Sequence, residues 1–144
     1  MKEKLLAISK KDFMKKELIH FDNIQDGFDH YHYFTLYGIK AQYDKFLEKA
    51  FDLNKDHAYV DFYYGRLEEN EKENLQSFLT QEDLRILDFI DYDNGIYFPL
   101  TEEILPFSLK ITAQEILFST FYFTKIPCTL WGNYNLKFPI FFKD

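Results

Sequence analysis

The stretch ILFSTFYFTKIPCTLWGNYNLKFPIFF, residues 116–142, decides the fold class of this chain. Its first part combines β-branched and aromatic residues without a breaker, which is typical of a strand. The second part predicts a hairpin about Gly132-Asn133, because glycine suits the first position of a type II′ turn. Pro139 has no N–H to donate, and its position inside the second arm predicts an edge strand or a bulge.

Helical patterns precede and interrupt this strand-rich end. Ser9 and Asp12 resemble a capping box and predict a helix over about 10–20. In residues 41–51 the apolar side chains recur at helical spacing and predict an amphipathic helix. The acidic segment LEENEKENLQSFL, residues 67–79, predicts a mostly exposed helix that a few apolar residues anchor to the core.

Cap and turn signals divide the middle of the chain. Thr80 with Asp83 predicts the start of a further helix. Asn94-Gly95 is a strong type I′ hairpin signal between two short arms. A brief helix beginning near residue 101 must end at Pro106, because a proline inside a helix removes a hydrogen bond.

Two earlier stretches alternate and are rich in β-formers: FDHYHYFTLYG, residues 28–38, and AYVDFYYG, residues 58–65. Both predict strands. Because helices and strands do not alternate regularly, we expect one α+β domain over residues 1–144. It should have a largely antiparallel mixed sheet of about four to six strands, about three to four helices and a C-terminal β-hairpin.

Charge is concentrated in the middle of the chain. The net charge is −7, and residues 56–103 hold thirteen acids against three basic residues. Such a field repels phosphate backbones and attracts cationic surfaces, so we expect a basic protein partner rather than nucleic acid. The first twenty residues have the opposite balance, with six lysines against three acids.

The sequence also indicates where the protein resides. The N-terminal apolar run, residues 5–8, is shorter than the roughly 7–15 residues of a signal peptide core. The longest uncharged run of the C-terminal third, residues 126–136, is shorter than the about 20 residues of a membrane span. Cys128 is the only cysteine, which excludes an intrachain disulfide. We therefore expect a cytoplasmic protein without a membrane span.

Motifs for chemistry are few. On a strand, His30 and His32 would share a face and could hold a metal with one acidic ligand, but no acid follows them before Asp44. The chain has no glycine-rich phosphate loop and no GxSxG elbow. Asp61, between Tyr59 and Tyr63, is the one candidate for acid–base chemistry. We expect no cofactor.

The tyrosine-rich strands suggest a contact surface, since tyrosine is enriched at protein interfaces. If the two strands pair, one face of the sheet presents their tyrosines together with Asp29 and Asp61, unless helices cover it. The predicted partner-binding residues are Tyr31, Tyr33, Tyr37, Tyr59, Asp61, Tyr63, Glu68, Glu69, Glu71, Asp91 and Asp93.

Three functions are consistent with these features. The first is a small acidic, non-catalytic binding protein, an inhibitor of the immunity or antitoxin type that neutralises a basic partner such as a toxin. That comparison is one of type and depends on no family motif. The alternatives are a metal-dependent enzyme using His30 and His32 with an acidic ligand, and a structural or homo-oligomeric subunit that buries the C-terminal hairpin against its copy.

Overall fold

Six strands form one antiparallel sheet in the computed structural model, which describes residues 3–37, 40–133 and 137–143. Neighbouring strands follow the order β1-β6-β5-β4-β2-β3. In chain order, the strands are β1 (His32–Tyr37), β2 (Ala58–Asp61), β3 (Tyr97–Pro99), β4 (Thr120–Phe123), β5 (Cys128–Trp131) and β6 (Lys137–Phe142). The α+β class with an antiparallel sheet is therefore confirmed. Strands β5 and β6 pair as the C-terminal hairpin, although residues 134–136 of the connection between them lie outside the described residues.

Six α-helices accompany the sheet in the described part of the chain. They are α1 (Lys10–Met14), α2 (Ile24–His30), α3 (Lys40–Leu53), α4 (Glu69–Gln76), α5 (Gln81–Phe89) and α6 (Leu105–Ala113), with 3-10 turns at Tyr64–Arg66 and Tyr92–Asn94. The predicted cap of α5 forms as a reciprocal capping box, in which Thr80 and Asp83 each accept the other's backbone N–H. None of the described helices has the length and apolar content that crossing a membrane requires.

One face of the sheet packs against α3 and α6 and forms the main core. Val60, Phe121, Leu130 and Ile140 lie side by side across four strands, and each is at most 1% exposed. Burying such side chains contributes about 1.5–3 kcal/mol each. This row lies in the sheet interior, where β5 and β6 contribute buried side chains to the protein's own core.

N-terminal residues cover the other face in two aromatic clusters. Phe13 of α1 stacks on Tyr97 with ring centroids 3.9 Å apart and meets Tyr122 edge-on at 5.1 Å. Phe21 stacks on Trp131 at 5.2 Å, beside buried side chains that include Phe141. An open cleft lies between these clusters, and its lining reaches Asp61.

The first predicted strand is wrong in its N-terminal half, because α2 occupies residues 24–30. Asn23 caps that helix by accepting the N–H of Asp26 at 3.1 Å. Gly27 brings α2 close to the sheet, since a Cβ there would lie 2.5 Å from the Phe21 ring. Because α2 packs on the sheet as far as residue 30, β1 begins only at His32. The helix α1 begins at the predicted Ser9 cap but ends at Met14, well before residue 20.

Two expectations about turns and proline in the middle of the chain are wrong. Asn94 lies in a 3-10 turn, and its side-chain amide donates to both carboxylate oxygens of Asp91, at 3.0 and 2.8 Å. The predicted type I′ hairpin therefore does not form. Pro106 lies in the first turn of α6 and begins this helix rather than ending one. Backbone N–H groups of a first turn have no intrahelical partner, and proline loses nothing there.

The predicted edge position of Pro139 is also wrong. Strand β6 lies between β1 and β5, and Pro139 is opposite Thr35 of β1. The register with β5 extends to Leu130 and Ile140, one residue short of the proline. The ladder thus ends where the missing N–H would have been needed.

Candidate partner-binding site

The predicted tyrosine face does not exist as one surface, because β1 and β2 do not pair. Strands β6, β5 and β4 separate them, which places them about 19 Å apart at about 4.8 Å per strand. Tyr31 is the C-terminal cap residue of α2, and Tyr33 is exposed beside Phe28. Tyr37 ends β1, and its side chain lies outside the described part of the structure. The β1 tyrosines are thus remote from Tyr59 and Tyr63.

The two histidines do not share a strand face either. His30 is the last residue of α2, and its Nδ1 lies 3.0 Å from the carbonyl oxygen of Asp26. His32 is the first residue of β1. Both line a surface hollow that also contains Asp29 and Lys143. Within the described ranges, no three His, Cys, Asp or Glu side chains are grouped so that they could hold a metal ion.

Asp61 occupies a different environment from the one its sequence suggests. It is the last residue of β2, and only 3% of it is exposed. One carboxylate oxygen accepts the backbone N–H of Thr120 at 2.8 Å, and the other accepts the Tyr122 hydroxyl at 3.3 Å. Both donors belong to the neighbouring strand β4. The sheet thus fixes the carboxylate at one position.

Asp61 lies in the lining of an open cleft of about 370 Å³, which we call the Asp61 cleft. Its other lining residues are mainly aromatic, with one further carboxylate: His20, Phe21, Asp22, Tyr63, Tyr97, Leu117, Phe118, Thr120, Tyr122, Trp131 and Gly132. His20 approaches the Tyr97 hydroxyl through Nε2 at 3.4 Å and stacks on Tyr122. A concave site with aromatic walls and few fixed polar groups is typical of ligand pockets.

Burial dominates the electrostatics of this cleft. Desolvation raises the pKa of Asp61 to about 7, and the hydrogen bonds from Thr120 and Tyr122 only partly oppose it. The pKa of Tyr63 rises to about 12, first through burial and then through the charge of Asp61. Burial also lowers the pKa of His20, against the opposing effect of Asp22. A buried carboxylate that titrates near neutrality is therefore held among neutral aromatic groups.

A second open site runs along α4, which we call the α4 groove. It has a volume of about 360 Å³ and is lined by Leu67, Glu71, Asn74, Leu75, Phe78, Gln114, Glu115, Ile116 and Leu117. Phe78 is one of the apolar residues of the segment 67–79, which we predict to anchor its helix to the core, but 64% of it is exposed. Because Leu117 lines both sites, the α4 groove adjoins the Asp61 cleft.

Acidic side chains gather on and around α4, and one of them, Glu71, lines the α4 groove. Burial raises the pKa of Tyr92, and so do neighbouring charges that include Asp93, Asp88 and Glu69, which come from three different elements. All three acids are exposed. We call the acids of α4 and these neighbours the acidic surface: Glu68, Glu69, Glu71, Glu73, Asp88 and Asp93. The predicted residues Glu68, Glu69, Glu71 and Asp93 thus lie in one region, next to Asp91, which is half-buried.

The only basic residue of α4 is turned toward aromatic rings. The Lys72 side chain is 17% exposed, and its Nζ lies 5.6 Å from the Tyr64 ring centroid and 5.8 Å from that of Tyr92. It also reaches Glu69 at 3.7 Å. The outward side of α4 consequently presents carboxylates, with the positive charge held behind them.

Sequence reasoning missed most of the Asp61 cleft. Its aromatic lining comes from separate elements, and no local spacing relates His20, Tyr97, Tyr122 and Trp131. Only the polar Asp61 inside an otherwise apolar strand could have signalled a buried functional group.

Comparisons with protein-family models, with curated proteins and with solved structures give no match for this chain.

Proposed function

We propose that this chain is a non-catalytic binding protein that neutralises a basic protein partner, as immunity and antitoxin proteins do. The observation that carries the proposal is the pairing of the exposed apolar α4 groove with the acidic surface. Interfaces of this kind combine an apolar anchor with charges that guide the partner.

The charge of α4 supports a basic partner over other occupants. Four glutamates lie within residues 68–73, and Lys72 is turned inward. A concentrated field of one sign raises the association rate of an oppositely charged protein by about 10–10³-fold and weakens with salt. The same field disfavours nucleic acid and anionic surfaces.

The α4 groove supplies the apolar contact that binding needs in addition to charge. Phe78 exposes a large aromatic side chain beside Leu75, in a concave site with a carboxylate, Glu71, among its lining residues. Aromatic side chains that become fully desolvated dominate the free energy of binding at many interfaces. We therefore assign Phe78 as the apolar contact and the acidic surface as the steering element.

The test is binding to the product of the adjacent gene, measured by surface plasmon resonance at 50 and 300 mM NaCl. We expect an association rate that falls at least tenfold with salt. The triple variant Glu69→Lys, Glu71→Lys, Glu73→Lys should reduce that rate, whereas Glu48→Lys, an exposed acid on α3, should not.

A second pair of variants examines the groove. Phe78→Ala should raise the dissociation rate about tenfold or more, the effect of losing a hot-spot side chain. Leu6→Ala is the matched control, since Leu6 is 66% exposed but lies outside the groove. Binding that is absent, or that neither salt nor these variants change, would contradict the proposal.

A further inference from the structure

We infer that the Asp61 cleft receives the guanidinium group of an arginine side chain from the partner. This inference rests on the proposed function, because it takes the partner to be a basic protein. It adds a specific recognition site to a surface that otherwise offers only steering and apolar contact.

The first argument concerns the carboxylate. Asp61 is buried, yet none of the described lysines or arginines forms a salt bridge with it. Its two hydrogen-bond donors, Thr120 and Tyr122, are neutral. Burying a carboxylate without a cation is costly, and a cation that enters the site removes this cost. The cleft is thus complementary to a positive group that the chain itself does not supply.

The second argument concerns the aromatic lining. Tyr63, Tyr97, Tyr122 and Trp131 contribute to one cleft together with two carboxylates, Asp61 and Asp22. Cations are attracted to the faces of such rings, and the planar guanidinium also stacks on them. An ammonium group lacks this flat shape and is more strongly hydrated, which favours arginine over lysine.

The third argument concerns the position of the cleft. Leu117 lines both the cleft and the α4 groove, so the two sites meet at this residue. Lys10 and Arg66, whose charges act on His20 and Tyr63 of the cleft, line a neighbouring hollow rather than the Asp61 cleft itself. An arginine would therefore enter beside acidic and aromatic groups.

The experiment uses a small probe, so that it does not depend on the partner. The intact chain is titrated with Nα-acetylarginine methylamide while the fluorescence of Trp131, the only tryptophan, is recorded. Nα-acetylcitrulline methylamide, which has the same shape without the charge, is the matched ligand. We expect saturable binding of the arginine probe and at least tenfold weaker binding of the citrulline probe.

The variant Asp61→Asn should weaken arginine binding at least tenfold. Asparagine keeps an oxygen for the Thr120 N–H and can donate to the Tyr122 hydroxyl, so the cleft should stay intact. Equal affinity for the two probes, or an unchanged arginine affinity in the variant, would overturn the inference. If the variant does not fold, the comparison of the two probes on the natural chain still decides.

The pH dependence gives an independent readout. The groups facing Asp61 are the hydroxyls of Tyr63, Tyr97 and Tyr122, and the same cleft contains His20 and Asp22. With a pKa of about 7, Asp61 is ionised to only about a tenth at pH 6, so arginine should bind about tenfold more weakly at pH 6 than at pH 8. His20 becomes positively charged as pH falls, which also weakens arginine binding at low pH. In Asp61→Asn, only this contribution of His20 to the pH dependence should remain. Affinity that is independent of pH would count against the inference.

Failure of this inference and failure of the proposed function are separable. The triple α4 variant should leave probe binding unchanged, because its residues do not line the Asp61 cleft. Probe binding that is lost in this variant would show that the probe follows the acidic surface instead, and would overturn the assignment to Asp61.

Discussion

Asp61→Asn should change how the stability of the protein depends on pH. The carboxyl of Asp61 has its ordinary pKa of 3.8 in the unfolded chain and a pKa of about 7 in the folded protein, because folding removes it from water. Between these values the native state holds a proton that the unfolded state has lost. The contribution of Asp61 is thus fully present below about pH 4 and is lost as pH rises through about 7.

The size of this effect follows from the shift. Raising the pKa from 3.8 to about 7 corresponds to about 4 kcal/mol, because each tenfold change in the proton equilibrium is worth about 1.4 kcal/mol. The natural chain should lose this much stability, relative to Asp61→Asn, between pH 4 and pH 8. The slope of the difference is about 1.4 kcal/mol per pH unit up to pH 7. Asparagine does not titrate, so the difference between the two proteins isolates Asp61.

Urea denaturation at several pH values from 4.5 to 8 measures this difference. About 3 kcal/mol of the loss falls between pH 4.5 and pH 8. With a urea m-value of about 2 kcal/mol per M, the difference between the two midpoints should therefore change by about 1.5 M across the range. Asp61 is protonated in the native state at pH 4.5, so most of its contribution is still present there. Parallel curves for the two proteins would refute the reasoning, because they would mean that Asp61 titrates alike in the folded and unfolded chain.

Three further substitutions test the packing of the fold. Gly27→Ala would ordinarily stabilise a helix by about 1 kcal/mol, but its Cβ would lie 2.5 Å from the Phe21 ring, so we expect a loss of about 1–3 kcal/mol in urea denaturation. Lys110→Met removes the 2.5 Å ion pair to the buried Asp83 and should cost about 1–3 kcal/mol at pH 7. Partial burial raises the pKa of Asp83, but its hydrogen bonds, first that from Lys110, lower the pKa overall. The stability lost in Lys110→Met should therefore shrink as pH falls through that lowered pKa. Denaturation at pH 3 and pH 7 measures this change. Glu115 has a positive φ of 58° after α6, and Glu115→Gly should exceed Glu115→Ala in stability by about 1 kcal/mol in thermal denaturation.

Local signals predicted those parts of the fold that local chemistry controls. The caps at Ser9 and Thr80 form as predicted, because a side-chain oxygen three residues before an N–H satisfies it in any tertiary setting. The amphipathic pattern of residues 41–51 lies within α3. The aromatic C-terminal stretch provides three neighbouring strands.

In each wrong expectation, the tertiary surroundings of a residue outweighed its local preference. Pro106 begins a helix and Pro139 lies in an interior strand, because what proline disrupts depends on which N–H groups already lack a partner. The α2 helix displaced half of a predicted strand because its packing through Gly27 outweighed β propensity.

For the site, the sequence by itself determined the acidic excess of the middle segment and the exposure of the glutamates on α4. Charged residues are costly to bury without a partner, so their surface position follows from composition alone. Only the tertiary structure decided that Asp61 is buried, that the β1 and β2 tyrosines are far apart and that Phe78 opens into a groove. Strand order and the placement of helices arise from contacts between residues distant in sequence, and no local pattern encodes which strands become neighbours.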